Sequence, residues 1–287
     1  MPIDVNRLVG ARLPDSTYSW DADQAILYHL GVGAGADPTD AAQLRYTYEQ
    51  GLTVLPTFAV IPAFGVVAGL AGLDGFAIDH TRLLHGEQRL ILHTPVRPAD
   101  TVRTTGRVTA VLDKGSGAVV VVETESRSTV DQQLCFTNVF SSFIRGEGGF
   151  GGDRGRRAPV SEPEGPPDLT VERATLPQQA LLYRLCGDKN PIHADPALAA
   201  AAGFDRPILH GLCTYGIVCQ TVVDEMLGGD VTRVVSYDAR FAGVVYPGET
   251  LVVQMWRTDA AVLVAAHTKD RGDAVLRNVT IALKETT

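Results

Sequence analysis

The stretch GLCTYGIVCQTVVDEML, residues 211–227, decides the fold. Leu212, Tyr215, Cys219, Val222, Val223 and Met226 recur at helical spacing, and Ile217 and Val218 add apolar surface on other faces. A helix apolar nearly all round is buried, and the Gly228–Gly229 pair predicts where it stops. β-Branched runs bounded by turn residues follow at 234–241, 250–257, 261–268 and 274–284. One buried helix followed by consecutive strands predicts an antiparallel sheet wrapped around it, an α+β unit.

Working outward, the chain carries this unit twice. Residues 146–168 contain Gly-Gly pairs, the cluster Arg154-Gly155-Arg156-Arg157 and four prolines, with no apolar period. Such a segment reads as a solvated linker, dividing the chain into a unit at 1–145, the linker at 146–168 and a unit at 169–287. QAILYHL at 24–30 parallels QALLYRL at 179–185, and PADTV at 98–102 parallels PGETL at 247–251. Strand-like runs at 88–94, 101–112, 118–126 and 133–143 complete the first copy. Each copy is expected to run short helix, irregular loop, long apolar helix, strands. In the first copy the long-helix region, 54–73, is interrupted by Pro56, Pro62 and glycines, so it reads as a buried, broken helix and not as a membrane span.

Composition narrows the partners. With 45% hydrophobic and 20% charged residues among 287, the chain can bury a sizeable core. A net charge of -8 argues against a general nucleic-acid binder. No run reaches membrane-spanning length, the first residues lack the layout of a secretion signal, and the last four, Lys284 to Thr287, are not a peroxisomal address. Cys135, Cys186, Cys213 and Cys219 are too few and too irregularly spaced for a disulfide scaffold or a metal knuckle. A cytoplasmic protein, and a homodimer, are the expectations.

The chemistry concentrates in LYRLCGDKNPIH at 182–193 and RPILHGL at 206–212. Asp188, Asn190 and His193 stand within six residues, pinned by Pro191. A carboxylate and an imidazole can hold a water and move its protons. Asn190 both donates and accepts, and can hold that water or orient its neighbours. Gly211 opens the apolar helix, where a backbone N–H can stabilise an oxyanion. Together these point to addition or removal of water next to a carbonyl. Other readings fail on spacing. An EF-hand needs a ligand and a glycine where Ile192 and His193 stand. Zinc needs closer pairing than Cys186, His193, His210 and Cys213 offer. A dinucleotide loop at Gly31–Gly35 lacks its last glycine and a preceding strand. A cysteine nucleophile at Cys186, near His193, stays open on the residues alone.

These motifs resemble the signature of the R-specific enoyl-CoA hydratases (hydratase 2, MaoC-like dehydratases), roughly YRLSGDxNPLH. Cys186 here replaces the family's serine and Ile192 its leucine, and neither change removes a proton-transfer group. GVGA at 31–34, LPTF at 55–58, LHGEQ at 84–88 and VLDKGSG at 111–117 resemble the family as well. The similarity spans nearly the whole chain and extends to the hydratase domains of peroxisomal multifunctional enzymes type 2.

The resemblance implies a double hotdog fold and reversible hydration of a trans-2-enoyl-CoA to a (3R)-3-hydroxyacyl-CoA, with no metal or redox cofactor. It implies that Asp188 and His193 share the catalytic water, with Asn190 and Gly211 beside them. Substrate contacts carry over to His85, Gly86, Lys114, Lys189, Pro191, Ile192 and Phe241. Where the second copy has Asp188 the first has Gly33, so only the C-terminal half carries the dyad, and the first half is expected to hold the acyl chain. The site should lie at the junction of the halves. Rival readings are a dehydratase of acyl-carrier-protein or steroid-side-chain thioesters, and a non-catalytic acyl-thioester-binding subunit.

Overall fold

A computed structural model describes residues 3–78, 82–155 and 163–284. Arg156 and Arg157 of the linker and the last three residues lie outside the described residues. Ten antiparallel strands form one sheet: β1 (Arg12–Trp20), β2 (Leu83–Leu92), β3 (Asp100–Asp113), β4 (Gly117–Ser128), β5 (Leu134–Arg145), β6 (Leu169–Ala174), β7 (Val234–Phe241), β8 (Thr250–Arg257), β9 (Ala261–Thr268) and β10 (Ala274–Leu283). Their order is β1-β3-β4-β5-β2-β7-β10-β9-β8-β6. Read from each edge inward, the first half runs β1, β3, β4, β5, β2 and the second β6, β8, β9, β10, β7. The expected repeat is therefore present strand for strand, and the halves join edge to edge at β2 and β7.

At that seam Glu87 to Ile91 pair with Arg240 to Ser236. The offset between the two PxxT turns, 98 and 247, maps Arg89 onto Asp238. These two residues face each other across the seam and form an ion pair at 3.5 Å. The local two-fold axis thus passes between them.

The helix Gly211–Leu227 is continuous, with all but three of its residues buried, and Gly228 ends it in the left-handed conformation (φ 64°). Its counterpart at 56–72 is broken into a 3₁₀ turn at Pro56–Ala63, an α-helical turn at Phe64–Ala68 and a second 3₁₀ turn at Gly69–Gly72. Pro62 removes one backbone donor, and the adjacent β-branched and glycine residues give little helical preference. The two repeat helices, Ala22–Gly31 and Gln179–Tyr183, pack on each other, with the matched Tyr28 and Tyr183 rings 6.0 Å apart in the core.

Two expectations need correction. Each half carries a strand, β1 or β6, immediately ahead of its repeat helix, and in the first half a helical turn at Val5–Leu8 precedes that strand. Both strands are sheet edges whose residues are mostly exposed or half-buried, so neither shows the apolar alternation by which a strand is read. The linker is also not merely solvated. The Asp113 carboxylate, at the end of β3, accepts the backbone N–H groups of Gly149 (2.8 Å) and Gly151 (2.7 Å) as well as Gly115 (2.8 Å). The Asp113 amide donates to the Asp153 carbonyl, and the Lys114 ammonium to that of Arg154. The first ten linker residues are thereby strapped back onto the β3–β4 turn.

Candidate active site

Three turns bring the 182–193 loop back on itself. Gly187, at φ 133°, takes a conformation that side-chain-bearing residues rarely adopt, and it reverses the chain after the short helix. The Asn190 amide then donates to the Asp188 carboxylate (3.1 Å), and the Ile192 amide to Asn190 Oδ1 (3.2 Å). Pro191 starts a single 3₁₀ turn, Pro191–His193. His193 is buried and its Nδ1 lies 2.8 Å from the Ile208 carbonyl. A carbonyl only accepts, so Nδ1 carries the proton and Nε2 keeps its lone pair. The Ile208 segment is itself fixed, because the Leu209 amide donates to the Val245 carbonyl (2.7 Å).

The side-chain ligand atoms of Asp188, His193 and His210 lie within 4.8 Å of one another. Burial pulls the His193 pKa below the ordinary imidazole value, with the Asp188 carboxylate opposing and Arg184 assisting. The neutral imidazole is therefore the resting form near pH 7, as a general base requires. Cys186, in the serine position, is buried with its thiol pushed up to about 12 by desolvation, which removes it as a nucleophile.

Gly211 is the first residue of the long helix, where an N–H has no intrahelical partner. A Cβ at Gly211 would lie 3.0 Å from the Phe241 ring. The absent side chain keeps that helix end open to a ligand. Phe241 in turn sits 4.7 Å, centroid to centroid, from His85 of the other half. Burial lowers the His85 pKa to about 4, and its Nε2–H donates to the Glu87 carbonyl (3.1 Å).

Asp188, His193, Gly211, Phe241 and His85 open onto one cavity of about 1410 Å³, larger than the roughly 300–1,000 Å³ usual for small-molecule sites. Asp188, Lys189, Asn190, Ile192, His193, Gly211 and Phe241 line it from the second half, and His85, Gly86 and Lys114 from the first. A site shared by both halves is what the structure shows. Pro191 is the exception: it is exposed and does not line the cavity, and it starts the 3₁₀ turn instead. The first half adds an apolar wall of Phe64, Val67, Val119, Val121 and Phe143. Arg145, Arg154 and Arg240 join Lys114 and Lys189 among the lining residues. This local cationic set offsets the acidity of the chain as a whole.

The chain matches two described families in tandem, "MFE-2 hydratase 2 N-terminal domain" over residues 18–146 and "MaoC like domain" over 159–278. It is 45% identical over 278 residues to the enoyl-CoA hydratase ChsH3 of Mycobacterium tuberculosis, covering 96% of this chain and 97% of that one. The chain belongs to the MaoC-like hydratase 2 family. It is also 40% identical to the mouse peroxisomal multifunctional enzyme type 2, over 96% of this chain but 38% of that much longer protein. Among solved structures, the Drosophila melanogaster multifunctional enzyme type 2 superposes with a TM-score of 0.83 at 34% identity, over 95% of this chain and 48% of that one. A MaoC-like dehydratase from Phytophthora capsici gives 0.85 at 29% identity over 99% and 98%. The double hotdog is thus the fold of this family member.

Two polar residues of this hydratase 2 site escape a reading of the sequence. The spacing of His210 speaks only to metal binding, yet it stacks on His193 with ring centroids 3.7 Å apart and an interplanar angle of 27°. Side-by-side rings of this kind do not converge their in-plane lone pairs on one point. Asn278 lines the cavity at a bulge in β10, with φ 50° and with no partner for its buried Oδ1 among the described residues. The helix-start motif signals His210; nothing local signals Asn278, because a bulge is a property of the paired strands.

Proposed function

We propose that this chain is a hydro-lyase that interconverts a trans-2-enoyl-CoA and a (3R)-3-hydroxyacyl-CoA. The observation that carries the reading is the meeting of Asp188 and the unprotonated Nε2 of His193 at one cavity wall, beside the helix start at Gly211. Hydration requires a water aimed at Cβ, a proton for Cα, and stabilisation of the enolate charge on the thioester oxygen. Asp188 and His193 hold the water between them. One takes its proton as the C–O bond forms, and a proton returns to Cα. The Gly211 N–H, at the positive end of the helix, meets the thioester oxygen as charge develops. The (3R) label rests on family membership. Proton transfer needs no electron acceptor, so the reaction asks for no redox cofactor.

Crotonyl-CoA hydration, followed by loss of absorbance at the enoyl thioester band, tests the reading. Turnover that survives a chelator is the expected result. No turnover of any chain length, as a CoA or a carrier-protein thioester, would sink it. The size of the cavity favours one refinement. A tail longer or bulkier than crotonyl fits against Phe64, Val67 and Phe143, so a branched or steroid-side-chain thioester is the second reading, separated from the first by kcat/KM across acyl groups.

A further inference from the structure

His210 lies behind the dyad and does not line the cavity. It touches both members. Its Nε2–H donates to the Asp188 carbonyl (3.2 Å), and its ring covers one face of His193. Tyr183 backs it on another side, with centroids 5.0 Å apart. The bond to a carbonyl fixes the proton on Nε2 and leaves Nδ1 bare, buried and without a partner among the described residues. An orphaned buried nitrogen costs stability. A phenylalanine or leucine would fill the same space without that cost, so packing alone does not account for a histidine here.

We infer that His210 is a positioning residue for the proposed hydration: it fixes the main chain at Asp188 and the ring plane of His193 in one rigid stack. The ring of His193 is then held from two directions, by the Ile208 carbonyl at its edge and by His210 on its face. Rotation of His193 about its side-chain bonds would break the bond to Ile208 or drive the ring into His210. Nε2 is thereby kept on the cavity side, at a set separation from Asp188. The stack also bears on the charge of His193. Its ring is buried behind His210, and that burial and then the Arg184 guanidinium disfavour the cation, while the Asp188 carboxylate and the bond to the Ile208 carbonyl favour it. Burial and His193 together drop His210 to about 2, so it stays neutral and its Nε2–H remains a donor at any pH the enzyme meets.

The inference rests on the hydratase reading, and the test separates the two. His210→Phe keeps the ring and loses the donor, His210→Gln keeps a donor and loses the ring, and Val222→Ala, in the helix that follows His210 and away from the cavity, serves as a destabilised control. Both His210 variants should lower kcat on crotonyl-CoA ten- to a hundred-fold with KM within about twofold, as expected when only the reacting geometry suffers. The acidic limb of the pH–rate profile should also move to higher pH. The active form is neutral His193, whose pKa lies below the ordinary value of about 6.5. An aromatic face without the second imidazole, or water admitted beside Gln, lets the cation form sooner. Unchanged kcat with an unmoved limb would overturn the inference, as would a Val222→Ala variant with an equal thermal shift and an equal loss of kcat. If the wild type hydrates nothing, the hydratase reading falls. The NMR titration of His193 in wild type and His210→Phe then still decides the stack: identical midpoints refute it, a raised midpoint in the variant supports it.

Discussion

At one matched asparagine and at one buried histidine, the first half pairs polar atoms that the second leaves open to the cavity. Asn138 and Asn278 occupy matched places on β5 and β10. Asn138 lies in an unbroken ladder, its Nδ2 donating to the Ala59 carbonyl and its Oδ1 accepting from Gln88, both at 3.0 Å. Asn278 sits on a bulge at the cavity wall, its Oδ1 without a partner among the described residues. The first half's buried histidine is equally committed: His29 Nδ1–H donates to the Tyr46 carbonyl (2.7 Å) and Nε2 accepts the Leu55 amide (3.1 Å). His193 keeps one nitrogen free. An unsatisfied buried polar group costs about 1–3 kcal/mol, so such groups persist where a substrate or its water supplies the partner. In the half without the dyad, Asn138 and His29 serve to hold the fold together.

The largest test of that contrast is at the dyad. Asp188→Asn and His193→Gln should each remain folded and lose about 10²–10⁴-fold in rate, the usual range for a general acid or base. Gly33→Ala, at the matched place in the first half, should cost stability through its positive φ (91°) but leave the chemistry intact. Dyad variants retaining more than about a tenth of the rate would show that the open groups are not the reacting ones.

Next in size is the mouth of the cavity. Lys114→Ala should raise KM for CoA thioesters by about tenfold and leave kcat nearly unchanged, because a remote phosphate contact acts in ground and transition states alike. A truncated thioester lacking the nucleotide should show no difference between variant and wild type. Asp113→Asn should act through the strap: its backbone bonds hold the carboxyl at about 2, Gly149 contributing most and then Gly115. KM should rise with no change in the pH limb. Smaller still is the asparagine pair. Asn138→Ala should lower the unfolding free energy by about 1–3 kcal/mol at unchanged kcat, since it leaves the Ala59 carbonyl without its donor and takes from Gln88 the nearer of its two acceptors. Asn278→Gly, which suits the positive φ, should hold its melting temperature and lose activity by a few fold. Reversed outcomes for the two variants would break the comparison.

The last effect is on stability alone and appears only at acid pH. Burial lowers His29 to about 4, largely by desolvation, whereas its unfolded value is about 6.5. The unfolded chain therefore binds this proton first, so stability is full above pH 6.5 and is lost as pH falls towards 4. The loss is on the order of 3 kcal/mol for this group, taking about 1.4 kcal/mol per pKa unit. Urea midpoints for wild type should fall over that window, and those of His29→Gln should fall less steeply.

Most of the frame was legible because the inner strands alternate. β7, β8 and β9 coincide with the runs of β-branched residues, and the long helix with its apolar spacing. The edges were not legible: β1 carries Pro14, Asp15 and Ser16, and no residue of β6 is fully buried. Asp188, His193 and Gly211 could be read from their motifs, since turn residues fold that loop locally. His210 and Asn278 gain their meaning from tertiary neighbours, one by stacking and the other by a bulge. The strap on Asp113 was hidden for a different reason. Its partners are backbone groups of a glycine-rich segment, and these leave no trace in side-chain pattern.

The ion pair at the seam has a consequence for pairing specificity. Arg89 and Asp238 are the same position of the repeat, facing each other across the local axis. Were two first halves to join through β2, Arg89 would face Arg89; two second halves joined through β7 would set Asp238 against Asp238. Each self-pairing brings like charges together, and only the mixed pairing brings opposite ones. A chain cut in the linker should therefore reassemble as a one-to-one complex of unlike halves and not as two like pairs. Arg89→Asp combined with Asp238→Arg should preserve that preference, while either change alone should weaken it.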